Sequence, residues 1–269
     1  MGEAGNELKG RGVLVTGAAR GIGLAAAARL AEDGFKVVGC DLLEPEADVG
    51  FEEFINVDLR EEAAIAAAVK QASEATGGLA GAVNNAVVSL LAPTLEASVE
   101  ELDLALSVNV RGTFLVSREV ARELVDAGRG GCLVNLGSVN GERGVARTGL
   151  YSSTKAAISS LTRVMAVELA PHGVRCNCVA PSPTATQRQM AALTDAQVDE
   201  RVAKIPLGRF AEPEEVAGAV SFLFSESARF VTGILLPVDG GYLAYGSGLD
   251  SNPSGAGAAA GTDAAAVDA

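Results

Sequence analysis

The stretch GVLVTGAARGIGLAAAARL, residues 12–30, decides how the rest of the chain is read. It opens on an apolar run too short for a helix, passes Gly17, Gly21 and Gly23, and continues into an alanine-rich segment. That order predicts a buried strand turning sharply into a helix. Glycines at such a turn let the backbone bend and approach a pyrophosphate lying on the helix N-terminus. The spacing is G-x-x-x-G-x-G rather than G-x-G-x-x-G, with the same conformational freedom at the same turn. Many strand–helix turns use glycine only for the bend, so the weight falls on the residues downstream of it.

The next apolar run, KVVGCD (36–41), ends in Asp41, eighteen positions after Gly23. A carboxylate there accepts from an adenosine ribose 2′-hydroxyl and repels a 2′-phosphate. Leu42 follows, so no adjoining base clamps a phosphate, and Arg20 is the remaining candidate for that role. The reading favours NAD over NADP. The plainer alternative is a capping Asp.

The same alternation continues. Strands are expected at 79–86, 131–138, 174–182 and 233–241, with helices over 61–75, 98–126, 151–170 and 213–224. Near-continuous apolar strands separated by helices mean a parallel sheet covered on both faces. The expected fold is therefore α/β, a Rossmann-like doubly wound sheet in a single domain, with ligands at the carboxyl ends of the strands. Residues 1–10 read as a loose lead-in and 11–245 as the domain. The Gly/Ala-rich stretch 246–269 has no apolar period and reads as a disordered tail.

Composition narrows the function. The chain has 269 residues, 48% of them hydrophobic, and a formal net charge of −13. No block of Lys or Arg offsets that charge, which argues against nucleic acid or an anionic membrane surface as partner. No stretch of membrane-spanning length is present, and the chain reads as cytoplasmic. Cys40, Cys132, Cys176 and Cys178 each fall in or beside an apolar run, where a thiol acts as a small hydrophobe. His172 is the single histidine, so neither a zinc site nor a histidine triad is expected.

Tyr151 and Lys155, in GLYSSTKAAIS (149–159), stand four positions apart on a helical pattern and so share a face. A phenol titrates near ~10, and lowering that by roughly three units takes about 4 kcal/mol. A neighbouring ammonium favours the phenolate. Lys155, together with the positive ring of an oxidised nicotinamide, is thus expected to tune Tyr151 as an acid/base.

With these residues in place, the chain resembles the short-chain dehydrogenase/reductase family, in its short cytosolic form, over residues 10–245. The motifs run in order: TGAARGIG (16–23), Asp41, DL (58–59), NNA (84–86), Asn109 in SVNVRGTF, Ser138 in VNLGSVNG, and YSSTK (151–155). VRCN (174–177), PSPTAT (181–186) and VDGG (238–241) complete the series. The resemblance implies a catalytic tetrad of Asn109, Ser138, Tyr151 and Lys155, with Asn109 holding a water that relays protons from Lys155. It implies a pyrophosphate turn at Gly17, Arg20, Gly21, Ile22 and Gly23, and adenine between Asp58 and Leu59. Asn85 and Ala86 follow the ribose, Tyr151 and Lys155 bind the nicotinamide ribose, and Pro181, Thr184 and Thr186 bound the nicotinamide. It also implies a homo-oligomer, tetramer or dimer, built on the helices at 98–126 and 151–170. Leu102, Leu106, Val110, Leu115 and Ile158 supply apolar positions there.

Two departures stand out. Val87 replaces the glycine the family carries after Asn-Asn-Ala, where a β-branched residue disfavours positive φ. Ser182 replaces the glycine after Pro181.

The substrate-facing stretches are 87–97, 139–150 and 183–210, the last long enough for a lid. Val88, Leu90, Leu91 and Met190 suggest an apolar wall, and Arg143, Arg147 and Arg188 raise an anionic substrate group. The expected activity is NAD-linked interconversion of a secondary alcohol or diol and a ketone. The alternatives are an NADPH-linked reductase of 3-oxoacyl thioesters on a carrier protein and a nucleotide-sensing protein without turnover.

Overall fold

The computed structural model describes residues 8–245. The expected tail and the first seven residues of the expected lead-in lie outside the described residues. Residues 8–10 belong to the fold, because the Gly10 amide donates to the Gly34 carbonyl at 2.9 Å.

Seven parallel strands form one sheet: β1 (Gly12–Thr16), β2 (Lys36–Asp41), β3 (Phe51–Asn56), β4 (Leu79–Asn84), β5 (Gly131–Leu136), β6 (Val174–Pro181) and β7 (Leu235–Val238). Their order is β3-β2-β1-β4-β5-β6-β7. The chain walks outward from β1 to β3, then crosses back over β1 to β4. The order thus reverses between β1 and β4, and that reversal opens a crevice at the strands' carboxyl ends. Thr16 and Asn84 face each other there in register.

Period-two alternation divides the core between two faces. Val13, Val15, Val37, Val83 and Val134 pack under α1 (Gly21–Glu32) and α8 (Pro213–Phe224), which supply Leu30, Val220 and Phe224. Leu14, Val38, Ala82 and Leu133 face the other way, under α2 (Glu62–Thr76), α4 (Thr113–Ala127) and α5 (Gly149–Leu169). Aliphatic side chains dominate both layers, with Phe35 set edge-on to Phe224 in the first. A third, smaller cluster joins Val139, Ile205, Phe210 and Tyr242, with Leu193, Val198 and Val202 against it. It lies under the 183–210 segment, which carries two short helices, α6 (Gln187–Ala191) and α7 (Asp195–Val202).

Two features differ from expectation. β3, with sequence FEEFIN, is an edge strand whose glutamates broke the apolar run that marks the other strands. The helix expected over 98–126 is continuous but changes pitch midway. α3 (Val99–Ala105) leads into a π turn at Leu106–Gly112 before α4 begins. Such turns often mark functional positions, and Asn109 sits inside this one.

Candidate active site

The glycine-rich turn explains itself sterically. Gly17 and Gly21 take φ of +65° and +56°, which L side chains rarely adopt. Gly23 has no such φ, but a Cβ there would stand 2.0 Å from the Gly17 carbonyl oxygen. The turn is therefore closed by contact between its own glycines. A Cβ on Gly17 would meet the Ala86 Cα at 2.7 Å, so the end of β4 presses on the same turn.

Thr16, not among the expected site residues, fixes that junction. Its Oγ1 accepts from the amides of Asn85 and Ala86 at 3.0 and 3.1 Å. Asn85 in turn donates its Nδ2 to the Gly17 carbonyl at 2.9 Å. The carboxylate of Asp41 accepts from Ala19 N at 3.2 Å and from Leu42 N at 2.7 Å, so it caps the turn and lies at its edge. The capping role, the plainer of the two readings of Asp41, is present. Beside it, Glu44, Glu46 and Asp48 are all exposed. Arg20, the candidate phosphate clamp, is exposed at the start of α1. Ile22 packs partly buried against the α1 side of the core.

Across the crevice, a Cβ on Gly21 would lie 3.2 Å from the Thr186 methyl, which places Thr186 over the turn. Thr186 also caps α6 by accepting from Gln189 N. Thr184 is buried and donates to the Ser182 carbonyl, while Pro181 ends β6. Asp58 is held by Arg60 at 2.5 Å, and that hydrogen bond keeps its carboxyl below the usual range. Leu59 is buried against Gly112. An adenine there would compete with Arg60 for Asp58.

The expected tetrad converges from three elements. Ser138 follows β5, Tyr151 and Lys155 lie on the first two turns of α5, and Asn109 comes from the π turn. Burial raises the Tyr151 phenol above its ordinary value, and its hydrogen bond with Ser138 pulls the other way. Lys155 is 3% exposed, and its Nζ donates to the Leu136 carbonyl at 2.5 Å. Desolvation lowers it from 10.5 to about 8. Lys155 alone does not depress Tyr151 in this geometry, and the expected tuning also involves the ring of an oxidised nicotinamide. The ammonium sits 5.7 Å from the phenol ring centre, bound to a carbonyl, and desolvation of the phenol wins.

Asn109 is fully buried. Its Oδ1 accepts from Val88 N at 2.9 Å, and its Nδ2 donates to Val88 O at 3.0 Å and to Thr154 Oγ1 at 3.1 Å. Thr154 donates onward to the Tyr151 carbonyl at 2.7 Å. The side chain thus braces the loop after β4 to the helix that carries Tyr151. Thr154 is thus a link in that brace. Below it, Asn84 donates to Ser117 and Asn135, and Asn135 donates to Thr162, tying β4 and β5 to α4 and α5.

The two departures cause no backbone strain. Among the described residues Arg147 is the only non-glycine with positive φ, so Val87 and Ser182 take ordinary conformations. All four cysteines are buried and free, and burial pushes Cys40 up to about 12 and Cys132 to about 11. No group of residues suited to a metal ion occurs among the described residues. No helix of the described residues is long and apolar enough to cross a membrane. Of the wall residues, Val88 and Leu90 are half-buried, whereas Leu91 and Met190 are exposed.

A family model described as Enoyl-(Acyl carrier protein) reductase matches residues 17–243. An L-xylulose reductase of Bos taurus is 41% identical over 239 residues, spanning 88% of this chain and 98% of the relative. A D-erythrulose reductase of Gallus gallus is 36% identical over 240 residues, spanning 87% and 96%. Among solved structures, a putative 2-deoxy-D-gluconate 3-dehydrogenase of Agrobacterium tumefaciens with bound NADP superimposes with a TM-score of 0.84. It is 33% identical, covering 90% of this chain and all of that one. The chain belongs to the short-chain dehydrogenase/reductase family, as an oxidoreductase of secondary alcohols and ketones that works with a nicotinamide dinucleotide.

Proposed function

We propose that the protein interconverts a small polyol or hydroxy compound and its ketone, with NAD as the preferred dinucleotide and Tyr151 as the proton-transferring group. The observation that carries this reading is the meeting of Ser138, Tyr151 and buried Lys155 at the carboxyl end of β5. The crevice suits the cofactor: its turn is closed by glycines with no room for a Cβ, and Asp41 stands at its edge. Gly17, Arg20, Gly21, Ile22 and Gly23 would hold the pyrophosphate, Asp41 the adenosine ribose, and Asp58 and Leu59 the adenine. Asn85, Ala86, Tyr151 and Lys155 would hold the nicotinamide ribose, with Pro181, Thr184 and Thr186 around the nicotinamide. A bound dinucleotide supplies the hydride donor or acceptor.

The chain's own residues handle the proton. Ser138 donates to the substrate oxygen and holds it beside the phenol. Tyr151 gives its proton to that oxygen in ketone reduction and removes it in alcohol oxidation. Lys155 receives or returns the proton behind Tyr151, and a group titrating near about 8 suits both tasks near neutrality. Asn109 holds the substrate loop and α5 in register and completes the tetrad. The preference for NAD rests on Asp41 and on the exposed carboxylates of Glu44, Glu46 and Asp48, a field that repels a 2′-phosphate.

Helices α4 and α5 leave Phe114, Val164 and Val167 exposed at 41%, 50% and 76%. Leu106 in the π turn is exposed as well, while Leu115 and Ile158 are buried within the chain itself. The proposal is a two-fold pairing through that outer stripe, as dimer or tetramer. Four free buried thiols suit a reducing cytoplasm.

Nicotinamide absorbance followed with a panel of secondary alcohols and ketones, with NAD(H) and NADP(H) in turn, tests the activity. Turnover with neither dinucleotide would overturn it. The carrier-thioester reading draws on the matching model's description, but an acidic carrier would seek a basic patch on a chain of net charge −13. A 3-oxoacyl thioester in the same panel separates the two.

A further inference from the structure

The turn at 145–148 lies between Ser138 and Tyr151. Thr148 N donates to the Val145 carbonyl at 3.3 Å and closes it. Arg147 is its third residue, at φ 68°. Ala146 has no positive φ, so the pattern is that of a type II turn, which takes Gly or Asn at the third position. An arginine there crowds its Cβ against a carbonyl oxygen.

The side chain held at this disfavoured position is unused within the protein. Arg147 is exposed, and among the described residues its guanidinium meets no carboxylate, carbonyl or ring, in a chain carrying 34 Asp and Glu. Of the other four arginines in the substrate-facing segments, Arg209 pairs with Glu215 at 2.7 Å and Arg201 lies in the last turn of α7. Arg143 stacks on the Tyr242 ring at 4.6 Å and donates to the Tyr242 carbonyl. Arg188 lies in the last turn of α6, in ordinary helical backbone, where a cation complements the helix end.

We propose that Arg147 is a substrate-binding residue that receives the carboxylate of a hydroxy acid or keto acid. The assignment rests on the alcohol–ketone reading above and names its substrate class. Four residues of chain, about 14 Å at most, separate Arg147 from Tyr151. Its position is rigid, because Thr148 Oγ1 donates to the Val145 carbonyl at 2.8 Å and accepts from Ser152 at 2.6 Å. A planar guanidinium matches a carboxylate with two parallel bonds. A single guanidinium balances a single negative charge, which favours a carboxylate over a phosphate dianion. A strained residue at a site, kept where a neutral one would relax the turn, points to use of its side chain.

The test uses the full chain with Arg147→Asn, which suits the turn and removes the charge, and Arg147→Lys. Matched pairs differing by one carboxylate serve as substrates: gluconate with glucitol, and 3-hydroxybutyrate with 2-butanol. Arg147→Asn is expected to raise Tm and to lower kcat/KM for the acids about tenfold to a hundredfold, mainly through KM. The neutral partners stay within about twofold, and Arg147→Lys falls between. Equal losses on acid and neutral substrates, or no loss on either, would overturn the proposal. If the wild type turns over none of them, the alcohol–ketone reading fails separately. Gluconate must then still raise the Tm of the wild type and not that of Arg147→Asn, or the carboxylate site falls too.

Discussion

Lys155 donates its ammonium to the Leu136 carbonyl, and this bond, rather than one to Tyr151, fixes where the buried charge resides. The charge is expensive to bury. With 10.5 in the unfolded chain and about 8 in the folded one, the unfolded chain holds an extra proton between those values. Stability from this group therefore rises with pH across that window, and the full cost is felt below about pH 8. Replacing Lys155 by Met removes a cost on the order of 3 kcal/mol and leaves a carbonyl unpartnered at about 1 kcal/mol. We expect a net gain of about 2 kcal/mol at pH 7 that disappears by pH 10.5, with activity lost, as read by urea unfolding at both values.

A phenol raised by burial is protonated throughout the neutral range, ready to donate but slow to accept. Ketone reduction should run at full rate at neutral pH and decline as pH rises, whereas alcohol oxidation should climb. Tyr151→Phe should remove about 10²–10⁴ of kcat in both directions while leaving dinucleotide binding in place. Rates in both directions from pH 6 to 10 decide it.

Asp41 accepts three backbone amides at the edge of the glycine-rich turn, so its replacement touches shape and charge together. Asp41→Asn keeps an acceptor oxygen and removes the charge. The ratio of Kd for NADP to Kd for NAD should fall about tenfold or more, from the loss of a like-charge repulsion worth roughly 1–2 kcal/mol. Titration of both dinucleotides by intrinsic or nicotinamide fluorescence measures that ratio.

Asn109→Leu is roughly isosteric and removes the three side-chain bonds that Asn109 makes. The Val88 amide and carbonyl lose their partner in a buried site, at about 1–3 kcal/mol each. Tm should drop. KM should rise along with the fall in kcat, because the loop after β4 loosens against α5. An unchanged KM would confine Asn109 to proton transfer.

Val167 is 76% exposed on α5. Val167→Glu should leave the Tm of a monomer unchanged and should split a dimer that uses this stripe, seen as a halved or quartered mass by light scattering.

Much of this architecture can be read directly from residue order. Strands buried on both sides must be apolar throughout, so GVLVT and GCLVNL announce themselves, and Gly17, Gly21 and Gly23 mark the crevice by steric need alone. FEEFIN escaped because two adjacent glutamates and a register shift break both the apolar run and the period of two, while Phe51 and Phe54 still cover the same side of Gly39. The π turn escaped because apolar spacing does not report a change of backbone pitch. Leu115 and Ile158, whose spacing fits an interface and burial within the chain alike, are core, since a helix pattern cannot say which neighbour covers a face. The Asn109–Thr154 link and the capture of Lys155 by Leu136 join residues 45 and 19 positions apart, a separation only the folded backbone resolves.

The small cluster of Val139, Ile205, Phe210 and Tyr242 is separate from the two layers that sandwich the sheet. Residues 187–210 therefore rest largely on a cushion of their own, joined to the nucleotide turn through Thr186 just before them. Selection can retool what this protein accepts while inheriting, intact, the machinery by which it moves electrons.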